Sequence, residues 1–583
     1  MKHCFLRILQ KFSVGSPTVK QFQVARFFVY QGSVNLVKLA ALTRFQDSPI
    51  IALMKILTAA EMREVDRLTT ERYAIPSILL MENAATRIVE AVEKKFGVAQ
   101  GKRALVICGK GNNGGDGATI ARLLHTKGCA IVGLLLGRIE DTKGDARTNF
   151  DAAKLLAQGA DDFTFIEIQS EEAFTQYATA ETFDLFFDAI FGTGLTRPAT
   201  GLFEHAIKFL NQQKPVIAVD IPSGLNSDSF DLIGAAVRAD LTVTFTAPKI
   251  ANLLPPASEN NGALVVAPIG SPASLINSSG ANLNLVERGM IEAWLASSRR
   301  TSIAHKGDAG KVLIIAGSRG KTGAACLAGA SAMRAGTGLV TIATAASAQT
   351  AVASQAIIEC MTEPLAETYS GTVSLDALKN ALALAAERDV LAIGPGLGSN
   401  ESSTVEFVRE LITQRQRPVV IDADGLNALV GWAEHLQGSA DLPLILTPHA
   451  GEMARLAGIS AKEVVDHRLE IARDFATQHQ VILVLKGSRT LIAAPDGEVY
   501  VNPTGNAGMA TGGTGDVLTG ILAGLIAQKT TDALGATLAA VYLHGLAGDL
   551  AAARFGTRAM IASDITAHLG EAFIAVGGEA EKP

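Results

Sequence analysis

At 583 residues the chain is too long for one hydrophobic core, and 48% hydrophobic with 19% charged residues describes a globular protein of two to four domains. A net charge of −6 offers no basic surface to nucleic acid or to an anionic membrane, so neither is expected as a partner. The five cysteines (Cys4, Cys108, Cys129, Cys326, Cys360) contain no C-x-x-C pair, which fits a reducing cytoplasm, and no uninterrupted apolar run reaches the roughly 18–20 residues of a membrane span.

The chain opens on a basic stretch, residues 1–53. Lys2, Arg7, Lys11, Lys20, Arg26, Lys38 and Arg44 stand against one acid, Asp47, with no clear helical period. Such a composition suits a transit peptide, but an extension of no functional weight, or a start assigned too early, explains it more simply. The segment is expected to be poorly ordered. Met54 then opens a self-sufficient sequence in which Thr58-x-x-Glu61 is a capping box at the start of a helix.

Strand, glycine loop and helix then alternate. Ala104–Cys108 reads as a buried strand, Gly109–Gly117 as a loop, Ala118–Thr126 as a helix and Ile131–Leu136 as the next strand. Phe183–Asp188 and Pro215–Asp220 are strands that end in aspartate. Continuous apolar strands with helices between them predict a doubly wound parallel sheet, whose ligands lie at the carboxyl edge. Gly109-x-Gly111-x-x-Gly114 fits the dinucleotide fingerprint but lacks the acid about 20 residues on. Its filling says more: Asn112-Asn113-Gly114-Gly115-Asp116 carries two amides and a carboxylate among glycines. Turn-stabilising side-chain bonds would account for the Asn and Asp, but not for all the glycines. Hard oxygen donors from Asn113, Asp188 and Ser223 could hold a cation, and without a dense acidic cluster a monovalent ion fits better than calcium.

Ser271–Asn284, low in charge and rich in Ser, Asn and Gly, reads as a linker, taken as residues 271–287. The α/β pattern restarts with the strand Lys311–Ala316 and continues through Val390–Ile393, Pro418–Ile421, Leu444–Leu446 and Val481–Leu485. Gly323–Gly336 and Asp532–Phe555 read as Ala-rich helices. Gly317–Thr322 looks like a phosphate loop, but the G-x4-G-K-[ST] spacing fails at Ile315, and Lys321 reads as a solvated charge. The chemistry lies elsewhere: Gly394–Gly398, Asp422–Asn427, Thr447–Glu452 and Lys486–Thr490 each follow a strand. Asp424 is open between a turn acid and a magnesium ligand, and His449 between a loop residue and a substrate contact.

Asn506–Gly520 closes the series, with five glycines in fifteen residues and one carboxylate, Asp516, where they end. A glycine turn feeding a helix exposes backbone N–H groups beside the positive end of the dipole, an anion site suited to phosphoryl transfer. The dipole is expected to keep Asp516 ionised. On residues alone this is a kinase of a small hydroxylated metabolite, with Asp516 as base and the Gly513–Gly515 amides as anion hole.

Two resemblances sharpen these readings. The set Asn112–Asp116, Gly192–Pro198 and Asp220-x-x-Ser223 resembles the NAD(P)H-hydrate epimerase family, the YjeF N-terminal domain, over about residues 54–270. The likeness implies a Rossmann-like fold and epimerisation at C6 of the hydrated nicotinamide. It places Asn112, Asn113, Gly114, Gly115, Asp116, Gly192, Thr193, Gly194, Leu195, Thr196, Arg197, Pro198 and Asp220 on the hydrate, with Asp220 a candidate for acid–base work, and Asn113, Asp188 and Ser223 on a potassium ion. The later motifs resemble the ribokinase-like superfamily and, within it, the ADP/ATP-dependent NAD(P)H-hydrate dehydratase, the YjeF C-terminal domain, over about residues 288–577. That likeness implies Mg2+ with ADP, contacts from Lys486, Gly487, Ser488, Arg489, Thr490 and Gly515 to the nucleotide, and from Ala324, Gly398, His449 and Asp516 to the hydrate. Lys321 departs from it, standing where an aromatic is common. Together they imply a bifunctional repair enzyme, a cytoplasmic homo-oligomer acting on the hydrates NADHX and NADPHX. The rival is a ribokinase-like kinase with a silent N-terminal binding domain.

Overall fold

The computed structural model describes residues 54–577, and the basic segment 1–53 lies outside the described residues. Two sheets organise the chain. The first has seven strands in the order Phe163–Ile168, Ala130–Leu136, Arg103–Cys108, Leu185–Ala189, Val216–Val219, Leu241–Phe245, Ala263–Ala267. All its neighbours are parallel. Strand order reverses between Arg103–Cys108 and Leu185–Ala189, and there the Gly109 N–H donates to Ala189 O at 2.9 Å. Helices cover both faces, as continuous apolar parallel strands require. Ser77–Phe96, Asn112–Thr126 and Gly144–Gly159 share one core, while Glu171–Ala178 and Leu202–Leu210 share the other.

The second sheet has eleven strands. Ile482–Leu485, Leu444–Leu446, Val419–Ile421, Val390–Ile393, Lys311–Ile315, Leu339–Ala345 and Met361–Leu365 run parallel in that spatial order. Leu491–Ala493 and Val499–Val501 then fold back antiparallel. One face is packed by Thr322–Arg334, Thr514–Gln528, Ala533–Phe555 and Ala562–Val576. Thr530–Phe555 is long and apolar enough to cross a membrane, but 72% of its most apolar eighteen residues, with a mean hydropathy of 1.2, are buried inside the structure.

The sequence-based boundary between the halves dissolves in this sheet. The stretch expected to be a linker carries the helix Ala273–Asn277 and the strand Leu283–Leu285. Leu283–Leu285 pairs with Val499–Val501 on one side and with Met54–Lys55 on the other. Low charge and short apolar pairs let these residues extend an existing edge, which a compositional reading takes for a loop. Just beyond, the Leu57 N–H donates to Pro248 O at 3.0 Å and the Ala59 N–H to Asp228 Oδ1 at 2.7 Å. Ile56, Phe230, Leu253 and Leu254 are buried in one core with the strands of the second sheet. The Thr58 capping box forms as expected, with Glu61 N–H to Thr58 Oγ1 at 3.2 Å and Thr58 N–H to Glu61 Oε2 at 2.8 Å.

Candidate functional sites

The reversal in the first sheet opens a cavity of about 780 Å3, lined by Asn112, Asn113, Asp116, the run Gly192–Pro198 and Asp220. The sequence-predicted groups therefore converge, but not on a loop. Asn112–Asp116 form the first turn of the helix Asn112–Thr126, which begins earlier than expected, capped by Gly111. Its glycines are packing residues: a Cβ at Gly114 would meet Gly109 O at 1.8 Å, and one at Gly115 the Ala146 Cα at 2.7 Å. The helix start is thus pressed onto the strand edge, with its free N–H groups near the cavity.

Asp188, Ser223 and Asn113 gather around Phe191. Ser223 donates to Asp188 through its N–H at 2.7 Å and its hydroxyl at 2.5 Å. Asn113 Nδ2 donates to Phe191 O at 3.0 Å, and the Phe191 N–H to Ser223 Oγ at 2.8 Å. Asp188 is fully buried and, among the described residues, paired with no cationic side chain; burial pushes its acid up to about 6. Asp188, Ser223 and Asn113, three of the residues expected to act together, are thus brought together by the fold.

Asp220 follows its strand with φ 65°, a left-handed conformation that turns the carboxylate back over the sheet edge. Its Oδ1 accepts from Lys249 Nζ at 2.5 Å, Thr244 Oγ1 at 3.0 Å and the Phe245 N–H at 3.2 Å. The sequence reading missed Lys249 and also missed Asp66, both of which line the cavity. Asp66 had a signal: it lies four residues after Met62, on the buried face of its helix, where an acid is out of place. Burial and the nearby Asp220 push its acid up to about 6, against the pull of Lys249. Burial, Asp220 and Asp66 likewise raise Asp116 well above the usual carboxylate range.

The second site lies at the carboxyl edge of the eleven-stranded sheet. Asp516 occupies the first turn of Thr514–Gln528, capped by Gly513 at φ 94°. The first intrahelical bond is donated by the Val517 N–H to Gly513 O, so the N–H groups of Thr514, Gly515 and Asp516 precede it and lie at the positive helix end. His544 in the underlying helix holds Thr514 O at 3.0 Å, and Asp549 holds the Gly505 N–H and Asn506 Nδ2. The expectation that the dipole sets the ionisation of Asp516 needs correction. Burial, then Asp422, push its acid up to about 6 despite Lys486. It still remains about nine-tenths ionised at neutral pH, as a base should.

Beneath Asp516 is a buried network. Asp422 accepts from Lys486 Nζ at 2.7 Å, Thr447 Oγ1 at 2.8 Å and Thr519 Oγ1 at 2.9 Å. Burial alone would raise Asp422, but Lys486 and the hydroxyls hold it below its usual range. Lys486 also lies 3.7 Å from Glu452, so this ammonium is braced by two acids. A Cβ on Gly515 would stand 3.3 Å from Lys486 Nζ, which puts the two nucleotide candidates side by side. The Gly487–Thr490 turn is clamped by Arg468, which donates to Ser488 O and Arg489 O; sequence reasoning missed it. Arg489 donates to Pro503 O and Thr490 Oγ1 to Gly487 O, so both side chains brace the loop.

His449 caps the helix Ala450–Ala457, with Nδ1 accepting from the N–H groups of Gly451 and Glu452. Asp424, left open between a turn acid and a magnesium ligand, accepts from the Gly398 N–H at 2.8 Å. Lys321, expected to be a solvated charge, is half-exposed but reaches Asp424 at 3.1 Å. A Cβ at Gly396 would meet Ala324 Cβ at 3.1 Å and Lys321 O at 2.7 Å, so Ala324, Gly398 and Asp424 share one corner. Among the described residues no group of three or more His, Cys, Asp or Glu is arranged to hold a metal ion.

A doubly wound sheet with a cavity at its carboxyl edge, joined to a second α/β sheet with a buried carboxyl group at a helix start, is the architecture of a two-site α/β enzyme. Residues 77–251 match the YjeF-related protein N-terminus, and residues 312–570 match NAD(P)H-hydrate dehydratase. The chain is 46% identical over 521 residues to the bifunctional NAD(P)H-hydrate repair enzyme of Moorella thermoacetica, covering 88% of this chain and 95% of that one. The enzyme of the same name from Thermofilum pendens is 37% identical, with 90% and 97% covered. The ADP/ATP-dependent NAD(P)H-hydrate dehydratase of Bacillus subtilis, co-crystallised with ATP and Mg2+, is 33% identical with a TM-score of 0.44, covering 50% of this chain and 98% of that one. The chain belongs to the bifunctional NAD(P)H-hydrate repair enzyme family.

Proposed function

We propose that residues 54–270 epimerise the R and S hydrates of NADH and NADPH, that residues 271–287 join the halves, and that residues 288–577 dehydrate the S form at the expense of ADP. The observation that carries this reading is the presence of two differently built sites in one chain of a bifunctional repair family. The rival reading, a kinase with a silent N-terminal domain, is set aside by the same membership and by the carboxyl-lined cavity.

The chemistry follows from the hydrate. Its C6 bears both a hydroxyl and the ring nitrogen, so the nitrogen lone pair can expel the oxygen once that oxygen carries a proton or a phosphoryl group. In the first site the oxygen leaves as water and returns to either face, through a cationic ring that a carboxylate-lined cavity favours. Asn112–Asp116 and Gly192–Pro198 would hold the nucleotide, and Asp220 is an acid–base candidate. A potassium ion held by Asn113, Asp188 and Ser223 would compensate the buried charge and fix the loop at Phe191.

In the second site Asp516 would take the C6 hydroxyl proton as the terminal phosphoryl of ADP arrives, and the amides at the start of its helix would hold the developing charge. The nitrogen lone pair then expels inorganic phosphate, the cationic ring gives its C5 proton to water, and the C5=C6 bond of NAD(P)H is restored as the π pair returns to nitrogen, with AMP as the nucleotide product. Mg2+ suits a site of this kind by entering on the phosphates and neutralising them. Lys486 to Thr490 and Gly515 would meet the nucleotide; Ala324, Gly398 and the free face of His449 would meet the hydrate.

The free cysteines Cys108, Cys129, Cys326 and Cys360 agree with a cytoplasmic setting. Self-association is supported by the edge strand Met361–Leu365, where Ile358, Met361 and Tyr369 are exposed. The decisive experiment supplies mixed hydrates with ADP or ATP and follows NADH absorbance and phosphate. Complete recovery of both epimers is expected. A stable phosphorylated product, or no recovery, would overturn the reading.

A further inference from the structure

Two carboxyl groups that the assigned motifs do not include line the cavity, Asp66 and Asp145, and of the two it is Asp66 that lies close enough to Asp220 to shift with its charge. Asp66 comes from the helix Ala59–Tyr73, far in sequence from every glycine loop, yet it lines the cavity together with Asp220 and Lys249. Its place is fixed from both sides. The capping box and the Ala59–Asp228 bond hold the start of its helix, and the Leu57–Pro248 bond ties that start to the residue before Lys249.

Of the four aspartates that line the cavity, Asp66, Asp116 and Asp220 interact with one another, and these three differ in their partners. Asp220 has its Oδ1 saturated by donors from Lys249, Thr244 and Phe245. Asp116 stands in the first turn of a helix, within the motif that grips the substrate. Asp66 Oδ1 is buried without a hydrogen-bond partner. A buried carboxyl oxygen without a donor is costly as an anion and inexpensive as an acid.

We propose that Asp66 is the epimerase's general acid, giving its proton to the departing C6 oxygen while Asp220 serves the opposite ring face. In the forward step the C6–O bond breaks with its electron pair going to oxygen, which leaves as water carrying the Asp66 proton. The nitrogen lone pair forms the N1=C6 bond of a cationic ring. Water then adds to the other face of C6, the π pair returns to nitrogen, and the proton lost by that water goes to Asp220. Cavity water returns the proton from Asp220 to Asp66, and the reverse epimerisation exchanges the two roles. This rests on the epimerase reading above.

The charged groups facing Asp66 are Asp116, Asp220 and Lys249, with Arg63 on its own helix; Lys110, Asp145 and Arg197 line the outer cavity. Burial and Asp220 raise the Asp66 acid to about 6, so the acid form is available near neutrality. The acid form is the competent one, so this group gives a limb on which epimerisation falls as pH rises through about 6.

The test uses the full chain and pure R hydrate without nucleotide, following the R to S change by chromatography. Asp66→Asn is expected to lower kcat at least ~100-fold and abolish that limb. Asp66→Glu should restore part of the rate, while dehydration of pure S hydrate with ADP stays at the wild-type rate in both variants and so reports folding. Epimerisation by Asp66→Asn within threefold of wild type, or an unchanged limb, would overturn the proposal. Loss in Asp116→Asn with Asp66→Asn unaffected would move the acid to Asp116. A wild-type chain that dehydrates the S form but epimerises nothing would overturn the parent reading instead.

Discussion

At the carboxyl edge of the first sheet Asp220 lies 2.5 Å from Lys249, and at the matching edge of the second Asp422 lies 2.7 Å from Lys486. Each pair stands near a helix-borne aspartate, Asp66 or Asp516, whose acid is raised to about 6 mainly by burial. The pairs face opposite ways. In the first, the lysine side chain is 1% exposed and the aspartate 13%. In the second, the lysine is 19% exposed and the aspartate 1%. The first site therefore shows its contents a carboxylate, which suits a ring that becomes cationic. The second shows an ammonium, which suits a phosphoryl group that carries negative charge. Under the proposed roles, one arrangement would serve two chemistries through the choice of partner that is buried.

The largest effect should come from breaking one half of this comparison alone. Asp516→Asn is expected to lower dehydration at least ~1000-fold, read as phosphate release and NADH absorbance, with R to S exchange at the wild-type rate. Equal loss of both activities would mean that the sites act as one unit.

Exchanging the buried partners comes next. Removing one member of a buried pair leaves the other uncompensated and costs about 3–5 kcal/mol. Lys249→Met should therefore lower the heat-inactivation midpoint of epimerisation before that of dehydration, and Lys486→Met should do the reverse. Lys486→Met should also raise the KM for ADP, whereas Lys249→Met should leave that constant alone. If both variants inactivate the two activities together, the pairs stabilise the whole chain rather than their own sheets.

How far these parts could be read from the sequence depends on whether their physics is local. Val390–Ile393 and Leu444–Leu446 were legible because a parallel strand buried on both faces is a continuous apolar run. Asp516 and Asp220 were legible because glycines mark the turns that carry them. Lys249 was not, and Asp66 showed only as an acid on a buried helix face, since neither has a glycine beside it and the two segments are joined by the Leu57–Pro248 bond, a contact between distant parts of the chain. Lys486 was read as a phosphate contact, and the acids that brace it come from elsewhere in the chain, Asp422 from the end of Val419–Ile421 and Glu452 from the helix Ala450–Ala457. The antiparallel Leu491–Ala493 and Val499–Val501 are three residues each, too short to show a period. The two-residue strand Met54–Lys55 exists only because Leu283–Leu285 lies beside it.

That strand offers a smaller test of how separate the two regions are. Ile56 is buried in the core of the second sheet, although the helix that follows it carries Asp66 into the first site. Ile56→Ala is expected to cost about 2–4 kcal/mol. Both activities should then lose thermal stability, because one residue anchors both regions. A loss confined to dehydration would show that the helix of Asp66 keeps its position without the strand.

The smallest effect is also the one that most directly separates the two roles. Asp66 and Asp516 share an acid strength near 6, but Asp66 would work protonated and Asp516 ionised. For Asp516, kcat/KM of dehydration should rise with pH and level off above about 6, since the carboxylate is the base. For Asp66, kcat/KM of epimerisation should fall as pH rises through the same value, since the carboxylic acid is the donor. Between pH 7 and pH 5 dehydration is expected to drop about tenfold, the change in ionised fraction of one carboxyl group of that strength. Epimerisation over the same interval should rise, as the acid form of Asp66 becomes more populated. Profiles measured on one preparation, with S hydrate and ADP for one limb and R hydrate alone for the other, should cross. Parallel profiles would mean that the two carboxyls work in the same protonation state, and the opposed facing of the lysine pairs would then carry no consequence for proton transfer.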